Sequence, residues 1–174
     1  MMNEILKAMM ERRSARKFTD EQVKEEHLEL ILQAGTYAAS GQGLQAGKIV
    51  VVQDPETREQ LRAMNAAILG KTDIDPFYGA PTVCIILADS NVRTWVEDGS
   101  LVIGNMMLAA SALGVGSCWI HRALQEFDSP EGKALLEKWG IPDNYRGVGH
   151  CILGYEAAEP APAKPRKTDF VVRV

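Results

Sequence analysis

Three arginines and one serine lie within five residues near the N-terminus, in the run Arg12-Arg13-Ser14-Ala15-Arg16. Guanidinium groups match the oxygens of a phosphate with paired hydrogen bonds, and a serine hydroxyl adds a further donor. The chain has a net charge of −4, so this basic run stands out against an acidic background. The run predicts an anion site, and a solvated basic face is the alternative.

A second polar group lies in the glycine-containing stretch 39–47, which carries Ser40, Gln42 and Gln45. The stretch has the form GxGxxxG and precedes a predicted strand, whereas the dinucleotide fingerprint GxGxxG follows a strand and opens a helix. The dinucleotide-binding interpretation therefore fails on context. An ordinary loop and a loop whose backbone approaches a ligand closely both stay open.

A third candidate is the segment LGVGSCWIH at 113–121, which ends in Trp119, Ile120 and His121. Ligands often bind at the ends of strands in folds that combine helices and a sheet. No carboxylate or nucleophile pairs with His121 in the sequence, so we expect a structural or backbone role for it. The sequence contains no GxSxG, HExxH or P-loop motif, and no catalytic acid, base or nucleophile stands out.

The elements that position these residues are predicted from hydrophobic spacing, caps and β-branched runs. Helices are expected over about 2–13, from Thr19 or Asp20 to about Ala38, over 55–69, over 92–113, and from 130 to before Gly140. Strands are expected over 48–53, 82–88, 117–120 and 147–154. The longest helix is apolar nearly all round from Leu101 onward, which predicts a fully buried central helix that is too short to span a membrane.

This pattern predicts a single α/β or α+β domain over 1–174 with a central sheet and a proline-rich tail at 156–174. The acidic net charge argues against nucleic acid as a partner. Cys84, Cys118 and Cys151 are far apart, each in an apolar run, and there is no CxxC. We expect reduced, buried thiols in a cytoplasmic protein without a secretory signal, and neither a disulfide nor a metal site.

Five features follow one another in a fixed order along nearly the whole chain. They are RRSARKF, SGQGLQ, the pair Glu97-Asp98 ahead of the apolar helix segment, LGVGSCWI, and a basic tail with Lys164 and Arg166. In this order they resemble the FMN-dependent nitroreductase family, and the first and fourth are the more specific. The resemblance implies an α+β homodimer with a central mixed, mainly antiparallel sheet flanked by helices. Two FMN molecules would lie at the dimer interface, and each tail would extend onto the partner subunit.

The resemblance assigns each cluster to a part of the flavin. The phosphate and ribityl side is expected to be held by Arg12, Arg13, Ser14 and Arg16, with the tail's Lys164 and Arg166 returning to the phosphate. The loop residues expected to reach the flavin from the second subunit are Ser40, Gln42 and Gln45. The isoalloxazine ring is expected to lie against Trp119, Ile120 and His121, with backbone amides facing its N5 atom.

The implied activity is transfer of electrons from NADH or NADPH through FMN to an oxidised small molecule such as a nitroaromatic or a quinone. The hydride chemistry belongs to the cofactor, so no catalytic side chain is expected. Three alternatives stay open: other chemistry on the same flavin (reductive dehalogenation or flavin modification), flavin binding without nicotinamide turnover, and a flavin-free anion-binding module. The chain departs from the family loop at Gly43, commonly asparagine, and at Ala46-Gly47, commonly Pro-Trp, which predicts an open substrate pocket.

Overall fold

The computed structural model describes residues 3–174, so the predicted start of the first helix at residue 2 lies outside the described residues. The helices are α1 (Glu4–Glu11), α2 (Glu25–Thr36), α3 (Pro55–Leu69), α4 (Trp95–Ala112), α5 (Ala123–Asp128) and α6 (Pro130–Lys138). The strands are β1 (Gly47–Val52), β2 (Thr82–Asp89), β3 (Gly116–Ile120) and β4 (Tyr145–Gly154).

The four strands form one antiparallel sheet in the order β1-β2-β4-β3. The central strands β2 and β4 are buried along most of their length because helices cover both faces of the sheet. One core lies between the sheet and helices α2 and α4, and the other lies between the sheet and α3, α5 and α6. The predicted α+β fold with a mainly antiparallel sheet is confirmed. A parallel bridge also joins Ser14, which lies outside the strands, to Ser117 of β3.

Helices α3 and α6 begin at the caps that the sequence predicts. The Asp54 carboxylate accepts a hydrogen bond from the backbone N–H of Thr57 at 2.8 Å, and this bond lowers the pKa of Asp54. The Ser129 hydroxyl accepts from the N–H of Gly132 at 3.0 Å in the same way. Each bond satisfies one N–H group that the first turn of a helix leaves free.

The predicted start of α2 at residue 19 or 20 is wrong. The backbone N–H of Thr19 donates to the carbonyl oxygen of Tyr155 at 2.9 Å, and the N–H of Ala157 donates to that of Lys17 at 3.1 Å. The chain around Thr19 therefore runs extended beside the segment that follows β4. A helix cannot form while this backbone is paired in that way, so α2 begins only after the pairing ends.

The prediction of a fully buried central helix is also wrong. One face of α4 lies in the core through Ile103 and Met106, but Val96 and Leu101 on another face are 44% and 48% exposed. The short helix α5 was missed, because its six residues carry no capping signal. No helix among residues 3–174 combines the length and the apolar character that a membrane span requires.

We expect Gly147→Ala to destabilise the fold, because Gly147 lets α5 approach β4 closely. A Cβ atom at Gly147 would lie 2.2 Å from the carbonyl oxygen of Ala123, and a backbone atom cannot move aside as a flexible side chain can. Overpacking of this kind costs about 1–3 kcal/mol in the free energy of unfolding, measured by urea denaturation. The exposed Glu137→Ala change on α6 is the control. Equal stability of the two variants would contradict this account of the contact.

Candidate functional site

The arginine cluster lies where α1 ends. Arg12 follows the last residue of that helix, and its backbone N–H donates to the Ala8 carbonyl at 2.9 Å. Next to it is a cavity of about 410 Å³ between the ends of α1 and α4, the start of β3 and the chain after β4. Its wall includes Arg12, Arg13, Ser117 and Tyr155.

The two arginines of this cavity differ in how their donors are used. The Nη1 atom of Arg13 donates to the carbonyl oxygens of Met10 and Arg12, both at 2.8 Å. The Nη1 atom of Arg12 is buried and has no hydrogen-bond partner within residues 3–174. Leaving a buried donor unpaired is costly, more so when the group is charged. Arg12 therefore has a charged donor that no acceptor within residues 3–174 uses.

Backbone pairing fixes the rest of the cluster against the sheet. Ser14 forms a parallel bridge with Ser117 of β3, and the N–H of Ala15 donates to the Ser117 carbonyl at 3.0 Å. Ala15 is buried by this contact, whereas Arg16 beside it is exposed. The segment thus places the half-buried Arg12 and the exposed Arg16 near the start of β3.

The charge in the cavity is nearly balanced within one chain. Glu11 and Glu156 line it together with Arg12 and Arg13. Partial burial raises the pKa of Glu156, because desolvation makes its charged form less favourable than in water. The tail residues predicted to share the site, Lys164 and Arg166, are exposed and are not part of its wall.

The loop residues Ser40, Gln42 and Gln45 lie at a different place. Gln42 and Gln45 have φ angles of +53° and +51°, in the left-handed region that non-glycine residues rarely adopt. Bonds to side chains help to hold the loop in this shape: the Gln45 N–H donates to the Ser40 hydroxyl at 3.1 Å, and the Gly41 N–H donates to Asp98 Oδ1 at 3.0 Å. The loop is therefore anchored to the first turn of α4.

Ser40 and Gln45 form part of the wall of a second cavity, of about 330 Å³. The cavity also borders Gly47 and the apolar residues Ile49 and Val102. Part of this wall carries small side chains or none, at Gly35, Ala38, Ala39 and Gly47. Gln42 is exposed and outside this wall.

The end of β3 presents its three predicted residues in different ways. Trp119 packs over Gly149 of β4, where a Cβ atom would lie 2.9 Å from the indole Nε1. Ile120 is buried, and the side chain of His121 is exposed. The backbone carbonyl of His121 accepts a hydrogen bond at 3.0 Å from Nδ2 of Asn65 on α3. The described contacts of His121 are thus those of its backbone.

Sequence reasoning missed a buried polar network behind this strand end. The Nε2 atom of His150 lies 3.0 Å from Oε2 of Glu126, and Asn65 donates to the other oxygen of the same carboxyl group. Arg122 Nε donates to Asn65 Oδ1 at 2.8 Å. His150, which no motif of the sequence singles out, therefore has a buried carboxyl partner. No spacing in the sequence signals this network, because α3, the β3–α5 junction and β4 meet only in the folded chain.

The three cysteines are free and buried, as predicted. Burial raises the pKa of the Cys84 thiol to about 12 and that of Cys151 well above its usual value. The reactive form of cysteine is the thiolate, which is disfavoured at neutral pH in such surroundings. Neither thiol is suited to act as a nucleophile.

The predicted site residues thus form two groups within one chain. The first joins the arginine cluster to β3 through the pairing of Ser14 with Ser117. The second is the loop Ser40–Gln45, which is attached to α4 through Asp98 and borders its own cavity. The tail residues join neither group.

Comparison with known proteins shows relatives over nearly the whole chain. The nitroreductase family profile matches residues 9–79 and 70–155. A protein of Archaeoglobus fulgidus named as an NADH dehydrogenase/NAD(P)H nitroreductase is 34% identical over 91% of this chain and 88% of its own length.

Two solved structures have the same fold. A nitroreductase with bound FMN from Bacteroides fragilis is 30% identical and has a TM-score of 0.91 over 99% of this chain and 100% of its own. A nitroreductase with bound FMN from Desulfitobacterium hafniense is 26% identical and has a TM-score of 0.89 over the full length of both chains. With the family profile covering most of its length and a relative 34% identical along it, this chain belongs to the nitroreductase family.

Proposed function

We propose that this protein is a flavin-dependent oxidoreductase that transfers electrons from NADH or NADPH through bound FMN to an oxidised small molecule such as a nitroaromatic or a quinone. The observation that carries the proposal is that Arg12, which lines the cavity beside β3, has a buried Nη1 atom with no hydrogen-bond partner among residues 3–174. A charged donor in this state fits a phosphate oxygen. The relatives with bound FMN and the relative named for NAD(P)H support the same chemistry.

The donor set around this cavity suits the phosphate and ribityl side of FMN. Arg12 in the cavity wall offers a guanidinium nitrogen, and Ser14, which follows the wall residue Arg13 in the chain, offers a hydroxyl, while the exposed Arg16 is free to carry positive charge toward the ring. Charge-assisted hydrogen bonds to phosphate are among the strongest in proteins. Glu11 and Glu156 oppose an anion here, so further positive charge is needed to balance the phosphate.

We infer that the tail supplies this charge and that the functional unit is a homodimer. Lys164 and Arg166 lie on the exposed tail 156–174, which ends in an apolar segment whose Phe170 is 80% exposed. The exposed face of α4, with Leu101, is a matching apolar surface on the same chain. Large apolar side chains that water surrounds in one chain are typical of surfaces that a partner covers. A tail that extends onto the partner would bury these side chains.

The same arrangement accounts for the loop with Ser40, Gln42 and Gln45. Within one chain it belongs to a different cavity from the arginine cluster, yet its strained backbone is firmly held. Strained, over-determined backbone of this kind is typical of functional sites. We propose that the loop of one subunit contacts the flavin held by the arginines of the other.

Bound FMN would accept a hydride from the nicotinamide and pass the electrons on to the acceptor. The chain would bind the phosphate through Arg12 and Ser14, and it would form the wall of the ring site with Trp119 and the backbone of 120–121. The side chain of His121 is exposed, so we assign it no acid–base step. The small side chains around Gly47 leave room for acceptors of several shapes. Free, buried cysteines suit a reducing, cytoplasmic setting.

The proposed function is tested by stopped-flow mixing of the FMN-loaded protein with NADH and with NADPH in the absence of oxygen. We expect the flavin absorbance to bleach with at least one nicotinamide and to return when a quinone or a nitroaromatic is added. A protein that binds FMN tightly but is reduced by neither nicotinamide would contradict the proposed electron donor. A protein that binds no flavin would contradict the whole proposal.

The anion site is tested by titrating FMN and riboflavin against the parent, Arg12→Ala and Arg16→Ala. Each charge-assisted bond lost costs about 1.5–3 kcal/mol. FMN affinity should therefore fall roughly ten- to a hundredfold, since 1.4 kcal/mol is a factor of ten. Riboflavin lacks the phosphate, so it should bind the parent weakly and lose little further affinity in Arg12→Ala.

The matched control for this titration is Arg62→Ala, because Arg62 lies on α3 and pairs with Glu59 away from the cavity. This control should bind FMN as the parent does. Unchanged FMN affinity in both site variants, with the fold intact by circular dichroism, would mean that the cluster is a solvated basic face.

The shared site predicts that flavin binding and dimerisation occur together. If both the loop and the tail contact the partner, the dimer buries more than the roughly 2,000 Å² at which obligate interfaces begin. Sedimentation velocity of the FMN-loaded protein should show a dimer at micromolar concentration, and deletion of 164–174 should weaken both dimerisation and FMN binding. A monomer that holds FMN stoichiometrically would contradict the shared site.

A further inference from the structure

We infer that the buried polar network behind β3 is a positioning device, in which Asn65, Glu126 and His150 orient the backbone of residues 120–122. This inference rests on the proposed function, which puts the same backbone against the flavin ring. It concerns residues that contact neither the flavin nor its phosphate in that proposal. Their effect on the reaction would therefore be transmitted through the peptide groups that they hold.

The first argument is the burial of the network. The side chains of Asn65, Glu126 and His150 are completely buried. The His150 ring lies near the rings of Phe77 and Phe127, on the side of the sheet that faces α3 and α5. Placing a carboxyl group and an imidazole in an apolar core is unfavourable unless their hydrogen bonds are satisfied. Replacing such buried groups by apolar residues of similar volume often leaves the stability of the fold unchanged or raises it. Stability alone therefore gives no reason for this choice of residues.

The second argument is where the network ends. His150 Nδ1 lies 3.4 Å from the carbonyl oxygen of Ile120, and Asn65 Nδ2 donates to the carbonyl oxygen of His121 at 3.0 Å. In a trans peptide the carbonyl and the N–H of one unit point in opposite directions. Holding these two carbonyls on the inner side therefore turns the N–H groups of His121 and Arg122 away from the network. The first of these N–H groups, that of His121, belongs to the backbone that the proposed function places against the ring.

The third argument is the backbone of Arg122. Its φ angle is +82°, in the left-handed region, which is unfavourable for a residue with a side chain. Its Nε atom donates to Oδ1 of Asn65 at 2.8 Å, so one asparagine contacts both the strained residue and the carbonyl before it. A strained turn persists only where its surroundings over-determine it. Here Asn65, which lies on α3, supplies that constraint on the residue just before α5.

A glutamine at position 126 can keep every connection of the network. With its proton on Nδ1, the imidazole of His150 donates to the Ile120 carbonyl and leaves Nε2 able to accept from an amide N–H. A glutamine at position 126 would then accept from Asn65 through its oxygen and donate to His150 through its nitrogen. Glu126→Gln therefore keeps the connections, whereas Asn65→Leu removes them at similar side-chain volume. Comparing the two variants shows whether the reaction depends on these hydrogen bonds or only on a side chain that fills the buried position.

The experiment compares these two variants in the full-length, FMN-loaded protein. At saturating nicotinamide, Asn65→Leu should slow flavin reduction by about ten- to a hundredfold, the range that a displacement of about 1 Å can cause. Its FMN affinity and dimerisation should stay close to those of the parent, because Arg12 and Ser14 are untouched. Glu126→Gln should reduce flavin at close to the parent rate. If Asn65→Leu does not fold, Asn65→Ser, which is too short to reach both partners, replaces it.

Asn144→Ala is the matched control. Asn144 is also an asparagine that donates a side-chain hydrogen bond, to Asp89 at the end of β2, and it has no part in the proposed site. This variant should reduce flavin at the parent rate. A second readout is amide hydrogen exchange of residues 121–122 in the flavin-free protein, which should accelerate in Asn65→Leu and not in the control.

The possible outcomes separate this inference from the function on which it rests. A parent protein that binds no FMN, or is not reduced by either nicotinamide, would overturn the proposed function. A working parent with an unimpaired, folded Asn65 variant would overturn the positioning role alone. Equal impairment of Glu126→Gln and Asn65→Leu would also overturn it, because connectivity would then not be the deciding property.

Discussion

The backbone pairing of residues 14–19 with the ends of β3 and β4 is the constraint on which the rest of the site depends. It joins Ser14 to Ser117 and Phe18 to Glu156, and so attaches the N-terminal segment to the sheet. Because of this pairing α1 ends where the arginines begin, and α2 cannot start until the segment has passed the sheet. A basic run that is local in the sequence thereby comes to line a cavity that β3 and the chain after β4 also form.

Buried polar groups mark two places in an otherwise apolar interior. Arg12 has a charged donor with no partner among the described residues, whereas Asn65, Glu126 and His150 satisfy one another. The physical difference matters, because an unpaired buried charge favours binding a ligand and a satisfied network favours rigidity. The first arrangement fits a phosphate, and the second fits the support of a backbone that must stay in one position.

The single chain presents the predicted site in separate parts. The arginine cluster, the Ser40–Gln45 loop and the tail do not meet within one subunit, and the exposed apolar side chains of Leu101 and Phe170 remain uncovered. The proposed homodimer would reconcile these facts, since residues distant within one chain can be neighbours across an interface. The opposing charges of Glu11 and Glu156 give the same indication, because an anion there needs positive charge from beyond the cavity wall.

The sequence by itself determined the elements whose signals are local. The caps Asp54 and Ser129 start α3 and α6 as predicted, and the β-branched run of β1 and the apolar run of β2 form strands because such residues pack well on a covered sheet. The order of the motifs also indicated the family. Only the tertiary structure decided where α2 begins, that one face of α4 stays exposed, and that His150 has Glu126 as a partner. Each of these depends on contacts between segments far apart in the sequence, and no periodicity or cap within either segment encodes them.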